Sequence, residues 1–106
     1  MTEGKLVRDL IPALIRESGK DAQVRYLSGS DLMGALAAKL EEEASEAALA
    51  IDSREALVEE LADLYEVMSG LIALRGIRWR EVVEAADAKA KRRGRFESGA
   101  WLTVSE

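Results

Sequence analysis

Two short acidic stretches hold the residues whose types and spacing are best suited to chemistry. The first, LEEEASEA, spans residues 40–47, and the second, VEELADLYEV, spans residues 58–67. Each contains two carboxylates spaced i, i+3, and this spacing puts both on one side of a helix. The pairs are Glu43 with Glu46, and Glu60 with Asp63. In an antiparallel pair of helices the four carboxylates would converge.

The first stretch divides on a helical wheel, where each residue advances by about 100°. With Leu40 at zero, a core face lies within roughly 80° of it. That face comprises Leu32, Met33, Leu36, Ala37, Ala44, Ala47 and Ile51. Glu43 falls inside the arc at about −60°, and Glu46 lies at its edge at about −120°. Glu41 and Glu42 point elsewhere, at about 100° and −160°.

The second stretch repeats this arrangement around a stripe of apolar residues. The stripe comprises Leu57, Leu61, Leu64, Met68, Leu71 and Ile72, widened by Ala56 and Val67. With Leu61 at zero, Glu60 lies at about −100° and Asp63 at about −160°. Glu59 and Glu66 face away. The competing interpretation is that glutamate is a good helix former and that these charges only solvate the surface.

Four converging carboxylates need compensation, because like charges at the edge of a core repel each other. The chain contains no cysteine and no histidine, which excludes thiolate and imidazole metal sites. Hard divalent cations prefer oxygen ligands. The stretches therefore favour a site for Mg²⁺, Mn²⁺ or Ca²⁺.

The composition restricts the other functions that the chain could have. Its 106 residues fit one domain, 1–106, and a domain this small buries little surface, which favours a partner subunit. The net charge of −5 argues against binding a nucleic acid polymer. There is no signal-peptide core and no apolar run of membrane-spanning length, so we expect a cytoplasmic protein without a membrane partner.

The periodicity of apolar residues predicts an all-α fold. A short helix is expected at about 11–18, and two long antiparallel helices at about 31–51 and 53–74. A further helix is expected at about 78–93. Asp52 with Glu55 resembles a capping box, and Gly76 suits the end of the second long helix. Residues 23–27 and the alternating tail would form a small two-stranded β element.

The acidic pattern resembles the MazG-like all-α nucleoside triphosphate pyrophosphohydrolases. Their signature, E-x-x-E followed by E-x-x-D, is matched by Glu43 with Glu46 and by Glu60 with Asp63. KLVRDLIP near the start and KAKRRGRFESGAWL near the end resemble the phosphoribosyl-ATP pyrophosphohydrolase-like subgroup. The resemblance covers nearly the whole chain and implies a MazG-like helical bundle.

The resemblance implies a metal site and an assembly of chains, as a homodimer or homotetramer. It makes the four signature residues ligands of Mg²⁺, with Mn²⁺ as a substitute. A third-helix motif is matched by Asp87, Lys89 and Arg93, of which Asp87 would add to the metal site and the other two would face phosphates. The chain departs from the subgroup at Arg78, where Ser or Thr often begins the helix, and at Leu10, where Lys is frequent.

The implied reaction is hydrolysis between the α- and β-phosphates of a nucleoside triphosphate, giving a nucleoside monophosphate and pyrophosphate and clearing non-standard nucleotides. Glu46 or Glu42 would take the proton from water, although spacing does not distinguish a ligand from a base. The alternatives are phosphoribosyl-ATP pyrophosphohydrolysis in histidine biosynthesis and, from another class, a non-catalytic helical module for dimerisation or partner binding.

Positive charge is concentrated in one cluster, and its role has two interpretations. The cluster comprises Lys89, Lys91, Arg92, Arg93 and Arg95. Cations there would bind phosphate oxygens or stabilise the carboxyl end of a helix. Lys5 and Arg8 form a second candidate phosphate contact. Trp79 and Trp101 favour a core or subunit interface over stacking on a base.

Overall fold

The structure is a computed structural model that describes residues 4–104, and all its regular elements are helices. They are α1 (Ile11–Glu17), α2 (Gly29–Leu49), α3 (Arg54–Leu74) and α4 (Trp79–Arg93). These match the helices predicted from periodicity, with boundaries that differ by up to two residues. Within the described residues, no helix is both long and apolar enough to cross a membrane.

The ends of α3 are fixed by local chemistry. The Ser53 hydroxyl accepts a hydrogen bond from the Ala56 backbone N–H at 3.2 Å. Ser53 is therefore the N-cap, one residue after the Asp52 that the capping-box pattern indicated. At the other end, Gly76 adopts a φ of 68°, a left-handed conformation that suits glycine and ends the helix as expected.

Helix α4 begins at Trp79, and Arg78 takes the N-cap position before it although its side chain has no acceptor. The Glu81 carboxylate compensates by accepting a hydrogen bond from the Arg78 backbone N–H at 3.0 Å. A capping box has two hydrogen bonds, and this is the one made by the N3 side chain. The other needs an acceptor on the N-cap side chain, which arginine lacks. The departure from Ser or Thr at this position thus leaves the helix start intact.

Helices α2 and α3 form an antiparallel hairpin, the main packing unit of the described residues. The Arg75 guanidinium, after the end of α3, lies 3.9 Å from Met33 Sδ near the start of α2. Further along, Gly70 faces Leu36, whose Cδ2 would lie 3.5 Å from a Cβ built on the glycine. The small residue lets the helices approach closely around Leu36, one of the buried apolar residues.

On α2 and α3, the face that contacts the other helix is not centred on the apolar stripe. It lies further around each helix, toward the carboxylates. In α2, the buried residues are Leu36, Glu43 and Ala47. In α3, Leu61 is 47% exposed, whereas Glu60 and Leu64 are half-buried. The prediction that Leu61 belongs to the core stripe is therefore wrong for the single chain. Since Glu43 is buried beside Leu36 and Ala47 on α2, the acidic edge faces the opposite helix.

The predicted β element is not formed, since no residue between 4 and 104 is in a strand. Residues 23–27 run as irregular chain, and in the tail Trp101 is 92% exposed and Val104 72% exposed. A two-stranded ribbon is marginal in water unless it packs against another surface. Within the described residues, the tail leaves Trp101, Leu102 and Val104 largely exposed, so it does not pack against such a surface.

The chain is far from compact. Its radius of gyration is 18.2 Å, against about 13 Å for a globular domain of this length. Its accessible surface is 9525 Å², whereas a compact monomer of 11.6 kDa would expose about 5,800 Å². The excess includes a stripe on α3 formed by Val58, Leu61 and Tyr65, each roughly half exposed.

Candidate active site

Three carboxylates from the two long helices converge in the middle of the hairpin. One oxygen each of Glu43, Glu60 and Asp63 lies within 4.8 Å of the other two. Glu43 is buried, with 8% of its surface exposed, and the other two are half-buried. The helix rotation described above creates this cluster, because it turns the acidic edges of α2 and α3 toward each other.

Glu43 is compensated by a cation on its own helix. Lys39 Nζ lies 3.8 Å from Glu43 Oε1 and 3.3 Å from Glu42 Oε1. The lysine is one helical turn before both carboxylates, and its side chain is only 24% exposed. Its ammonium therefore links a predicted ligand to a predicted general base.

Asp63 is compensated by a cation from a distant part of the chain. Arg8 Nη2 donates a hydrogen bond to Asp63 Oδ1 at 2.7 Å, and both side chains are about half exposed. Arg8 belongs to the segment before α1. Pro12, in the first turn of α1, is buried. This ion pair connects the amino-terminal segment to the acidic cluster.

Glu60 forms no ion pair within residues 4–104. Partial desolvation raises the pKa of its carboxyl group, and repulsion from Glu46, Asp63, Glu43 and Glu59 raises it further. Glu46 is exposed and is not one of the three converging residues, yet its charge acts on Glu60. Negative charge at Glu60 is therefore the least compensated in the cluster.

The donor set fits a hard divalent cation. All three converging ligands are carboxylates, which Mg²⁺ and Ca²⁺ prefer, and a cation would remove the repulsion that raises the pKa of Glu60. Glu43, Glu60 and Asp63 would hold such an ion directly. The negative charge of Glu46 acts on Glu60, so it would add to the attraction for the ion. The geometry does not by itself choose between Mg²⁺, Mn²⁺ and Ca²⁺.

The predicted site residues of α4 lie apart from the carboxylate cluster. Asp87 is exposed, and its Oδ1 accepts a hydrogen bond from Arg95 Nη2 at 3.3 Å. Lys89 and Arg93 are exposed, and neither forms an ion pair with the cluster in the part of the chain that the structure describes. Lys5 is also exposed. Their roles in phosphate or metal binding remain predictions.

Helix α4 is attached to α3 through aromatic residues at its start. The rings of Tyr65 and Trp79 stack with centroids 5.1 Å apart and planes 4° apart. Trp79 Nε1 donates a hydrogen bond to Ser69 Oγ at 3.1 Å. Trp79 therefore packs against a neighbouring helix, as expected, whereas Trp101 is exposed in the single chain.

Sequence reasoning missed Lys39 as part of the site. The i, i+4 spacing from Lys39 to Glu43 was available as a signal, since such pairs meet on a helix surface. It carries little weight alone, because lysine and glutamate recur at this spacing on most solvated helices. Only the burial of Glu43 makes the pair distinctive.

Within residues 4–104, two long helices bring three carboxylates together, and such a donor set suits a divalent cation. The family model for phosphoribosyl-ATP pyrophosphohydrolase matches residues 7–90, most of the chain. The chain therefore belongs to the phosphoribosyl-ATP pyrophosphohydrolase family, whose members are hydrolases acting on phosphoanhydrides.

One curated relative is an uncharacterized protein of Mycolicibacterium smegmatis (strain ATCC 700084 / mc(2)155). It is 49% identical over 55 residues, which are 52% of this chain and 55% of the relative. The chain thus matches only about half the length of that protein. No solved structure matches the chain.

Proposed function

We propose that the chain is a Mg²⁺-dependent nucleoside triphosphate pyrophosphohydrolase, which cleaves between the α- and β-phosphates and clears non-standard nucleotides. The observation that carries the proposal is the convergence of Glu43, Glu60 and Asp63 within 4.8 Å, in a chain of a pyrophosphohydrolase family. Mn²⁺ would substitute, because it accepts the same oxygen ligands.

The chain's own residues have distinct tasks in this reaction. A divalent cation held by the cluster would supply Lewis-acid activation and neutralise charge on the triphosphate. Glu46 or Glu42 would accept the proton from the attacking water, since both are exposed carboxylates next to the cluster. Lys39 Nζ, 3.3 Å from Glu42 Oε1, would orient that carboxylate.

Phosphate groups would be bound by cations outside the cluster. Lys89 and Arg93 share one face of α4 at i, i+4, and they are exposed to solvent. Arginine forks and lysine ammonium groups both pair with phosphate oxygens. Lys5 and Arg8, on the amino-terminal segment, would add a second contact, and Asp87 would join the metal site if α4 approaches it.

A second substrate is favoured by the family model, which is described as phosphoribosyl-ATP pyrophosphohydrolase. That substrate also carries a triphosphate, so the same carboxylates and cations would act on it. The difference lies in the group attached to the base, and the described site has no feature that selects for it.

The test is a pyrophosphate-release assay with Mg²⁺ on a panel of standard and modified nucleoside triphosphates and phosphoribosyl-ATP. Glu43→Gln and Glu60→Gln should each lower kcat/KM by about a hundredfold or more, since they remove cation ligands. Glu41→Gln and Glu66→Gln are matched controls on the same helices and should retain activity. Full activity of the first two variants would refute the metal-site assignment and favour the non-catalytic helical module.

We further propose that two or four copies of the chain assemble through the exposed stripe of Val58, Leu61 and Tyr65. The chain exposes roughly 3,700 Å² more than a compact monomer would, which exceeds the roughly 1,000–2,500 Å² that each chain contributes to a typical obligate interface. Sedimentation should give a dimer or tetramer. Leu61→Lys should dissociate it, whereas Val83→Lys on α4 should not, and a monomeric unaltered chain would refute the assembly.

A further inference from the structure

The ion pair between Arg8 and Asp63 connects the amino-terminal segment to the acidic cluster, and its position is unusual for a structural contact. Arg8 Nη2 lies 2.7 Å from Asp63 Oδ1, and Asp63 is one of the three converging carboxylates. The two residues are 55 positions apart in the chain. The guanidinium therefore pairs with one oxygen of a carboxylate that would also hold a cation at the cluster.

The pair is weak enough to be exchanged. Its side chains are 58% and 46% exposed, and exposed ion pairs contribute little because water screens them. Lys39 differs in this respect, because it is on α2 itself, one turn from Glu43, with a side chain only 24% exposed. Within the described residues, the cluster thus has one fixed cation and one removable cation.

A released guanidinium would remain beside the site. Arg8 lies three residues before α1, whose buried Pro12 anchors the segment. The planar fork of arginine binds carboxylate and phosphate oxygens with the same two-pronged geometry. Loss of Asp63 as a partner would therefore leave Arg8 positioned for the phosphates of a substrate bound at the cluster.

We propose that Arg8 is an exchangeable counter-cation, which pairs with Asp63 in the metal-free chain, is displaced by the divalent cation, and then binds substrate phosphate. The inference rests on the proposed function and adds an order of events to it. Arg8 couples the two binding steps, since a cation that takes Asp63 frees its guanidinium for phosphate. Removal of Arg8 should therefore have opposite effects on the two ligands.

The test uses the full chain and measures binding of Mn²⁺ alone by calorimetry at constant ionic strength. Arg8→Gln should bind Mn²⁺ about two- to fivefold more tightly than the unaltered chain, because an exposed competitor is gone. Arg80→Gln is the matched control, since Arg80 pairs with Glu84 at 4.0 Å on the surface of α4 and its loss changes the net charge equally. It should leave Mn²⁺ affinity unchanged.

A second titration uses a non-hydrolysable α,β-methylene nucleoside triphosphate in saturating Mn²⁺. Arg8→Gln should bind it about tenfold more weakly, since a charged hydrogen bond to phosphate is lost, and Arg8→Lys should recover part of that loss. Equal or weaker Mn²⁺ binding by Arg8→Gln, or unchanged analogue binding, would overturn the role of Arg8 alone. Absence of Mn²⁺ binding by the unaltered chain would instead overturn the proposed function and the premise of this inference with it.

Discussion

The acidic hairpin and the basic helix α4 carry the two halves of the predicted site, but they are positioned by different means. The hairpin packs α2 against α3, and this packing alone converges Glu43, Glu60 and Asp63. Helix α4 is attached mainly through Trp79 at its start, and its predicted phosphate-binding residues form no ion pair with the cluster in residues 4–104.

This difference indicates which part of the site one chain can build. The carboxylates lie on surfaces that bury each other, so their positions follow from intrachain packing. The basic residues lie near the free end of a helix that leaves most of its surface exposed. We infer that a second copy of the chain, or the substrate itself, is needed to bring positive charge to the metal site.

The largest expected effect is on the free energy of unfolding, and it shows whether the hairpin and α4 differ in packing. Leu36→Ala should lower the free energy of unfolding by about 2–5 kcal/mol, because Leu36 is buried against Gly70. Val83→Ala, at a residue of α4 that is 52% exposed, should change it by about 0.5 kcal/mol or less. Urea denaturation measures both, and equal losses would mean that α4 is packed as firmly as the hairpin.

The next effect concerns the basic half of the site. Lys89→Gln and Arg93→Gln should each raise KM for a nucleoside triphosphate by about tenfold or more, since each loses a charged hydrogen bond to phosphate. Mn²⁺ affinity should stay the same, because neither residue touches the cluster. Lys91→Gln and Arg92→Gln are charge-matched controls on α4. The same KM increase in all four variants would indicate a general effect of net charge.

A smaller effect concerns stability without metal. The pKa of Glu60 is raised in the folded chain, so folding favours its protonated form. The resulting stability is fully present below the unfolded pKa and is lost as pH rises through the folded pKa. In EDTA, Glu60→Gln should therefore melt a few degrees higher than the unaltered chain at neutral pH, with a smaller difference near pH 4.5.

Thermal melting of Glu66→Gln provides the control for this pH dependence, because Glu66 is exposed and lies about 120° around α3 from Glu60. Added Mg²⁺ should raise the melting temperature of the unaltered chain and of Glu66→Gln, but not that of Glu60→Gln. A Glu60→Gln variant that melts lower in EDTA would contradict the repulsion seen in the cluster.

The smallest effect tests how closely the hairpin helices approach. Gly70→Ala and Gly34→Ala should each stabilise the fold by up to about 1 kcal/mol, since alanine is the better helix former. A Cβ at Gly70 would lie 3.5 Å from Leu36 Cδ2, an ordinary contact, whereas a Cβ at Gly34 would meet nothing within 4 Å. Destabilisation by Gly70→Ala alone, in urea denaturation, would indicate a tighter interface.

The positions of the helices could be predicted from periodicity. The N-cap residue of α3 and the side of each helix that packs could not. The four helices were confirmed because apolar spacing and the glycines that end them are local signals. Ser53 replaced Asp52 as the cap of α3, because its hydroxyl is the group that accepts the Ala56 backbone N–H. Leu61 is 47% exposed, because the rotation of a helix is set by its packing partner and not by its own apolar stripe. The predicted strands failed since a ribbon needs a surface on which to pack.

The sequence by itself determined the chemistry of the cluster. The i, i+3 carboxylate pairs and the absence of cysteine and histidine restrict any metal to oxygen ligands, and helical spacing places each pair on one side of its helix. These are properties of residue type and of distances within one turn. They do not depend on how the helices meet.

Tertiary structure alone decided which carboxylates converge and which cations accompany them. Glu43, Glu60 and Asp63 meet because the close approach of α2 and α3 rotates their acidic edges inward, while Glu46 stays exposed. The pairing of Arg8 with Asp63 joins residues 55 positions apart, and no local pattern specifies it. Such contacts depend on the packing of separate elements, which sequence spacing does not encode.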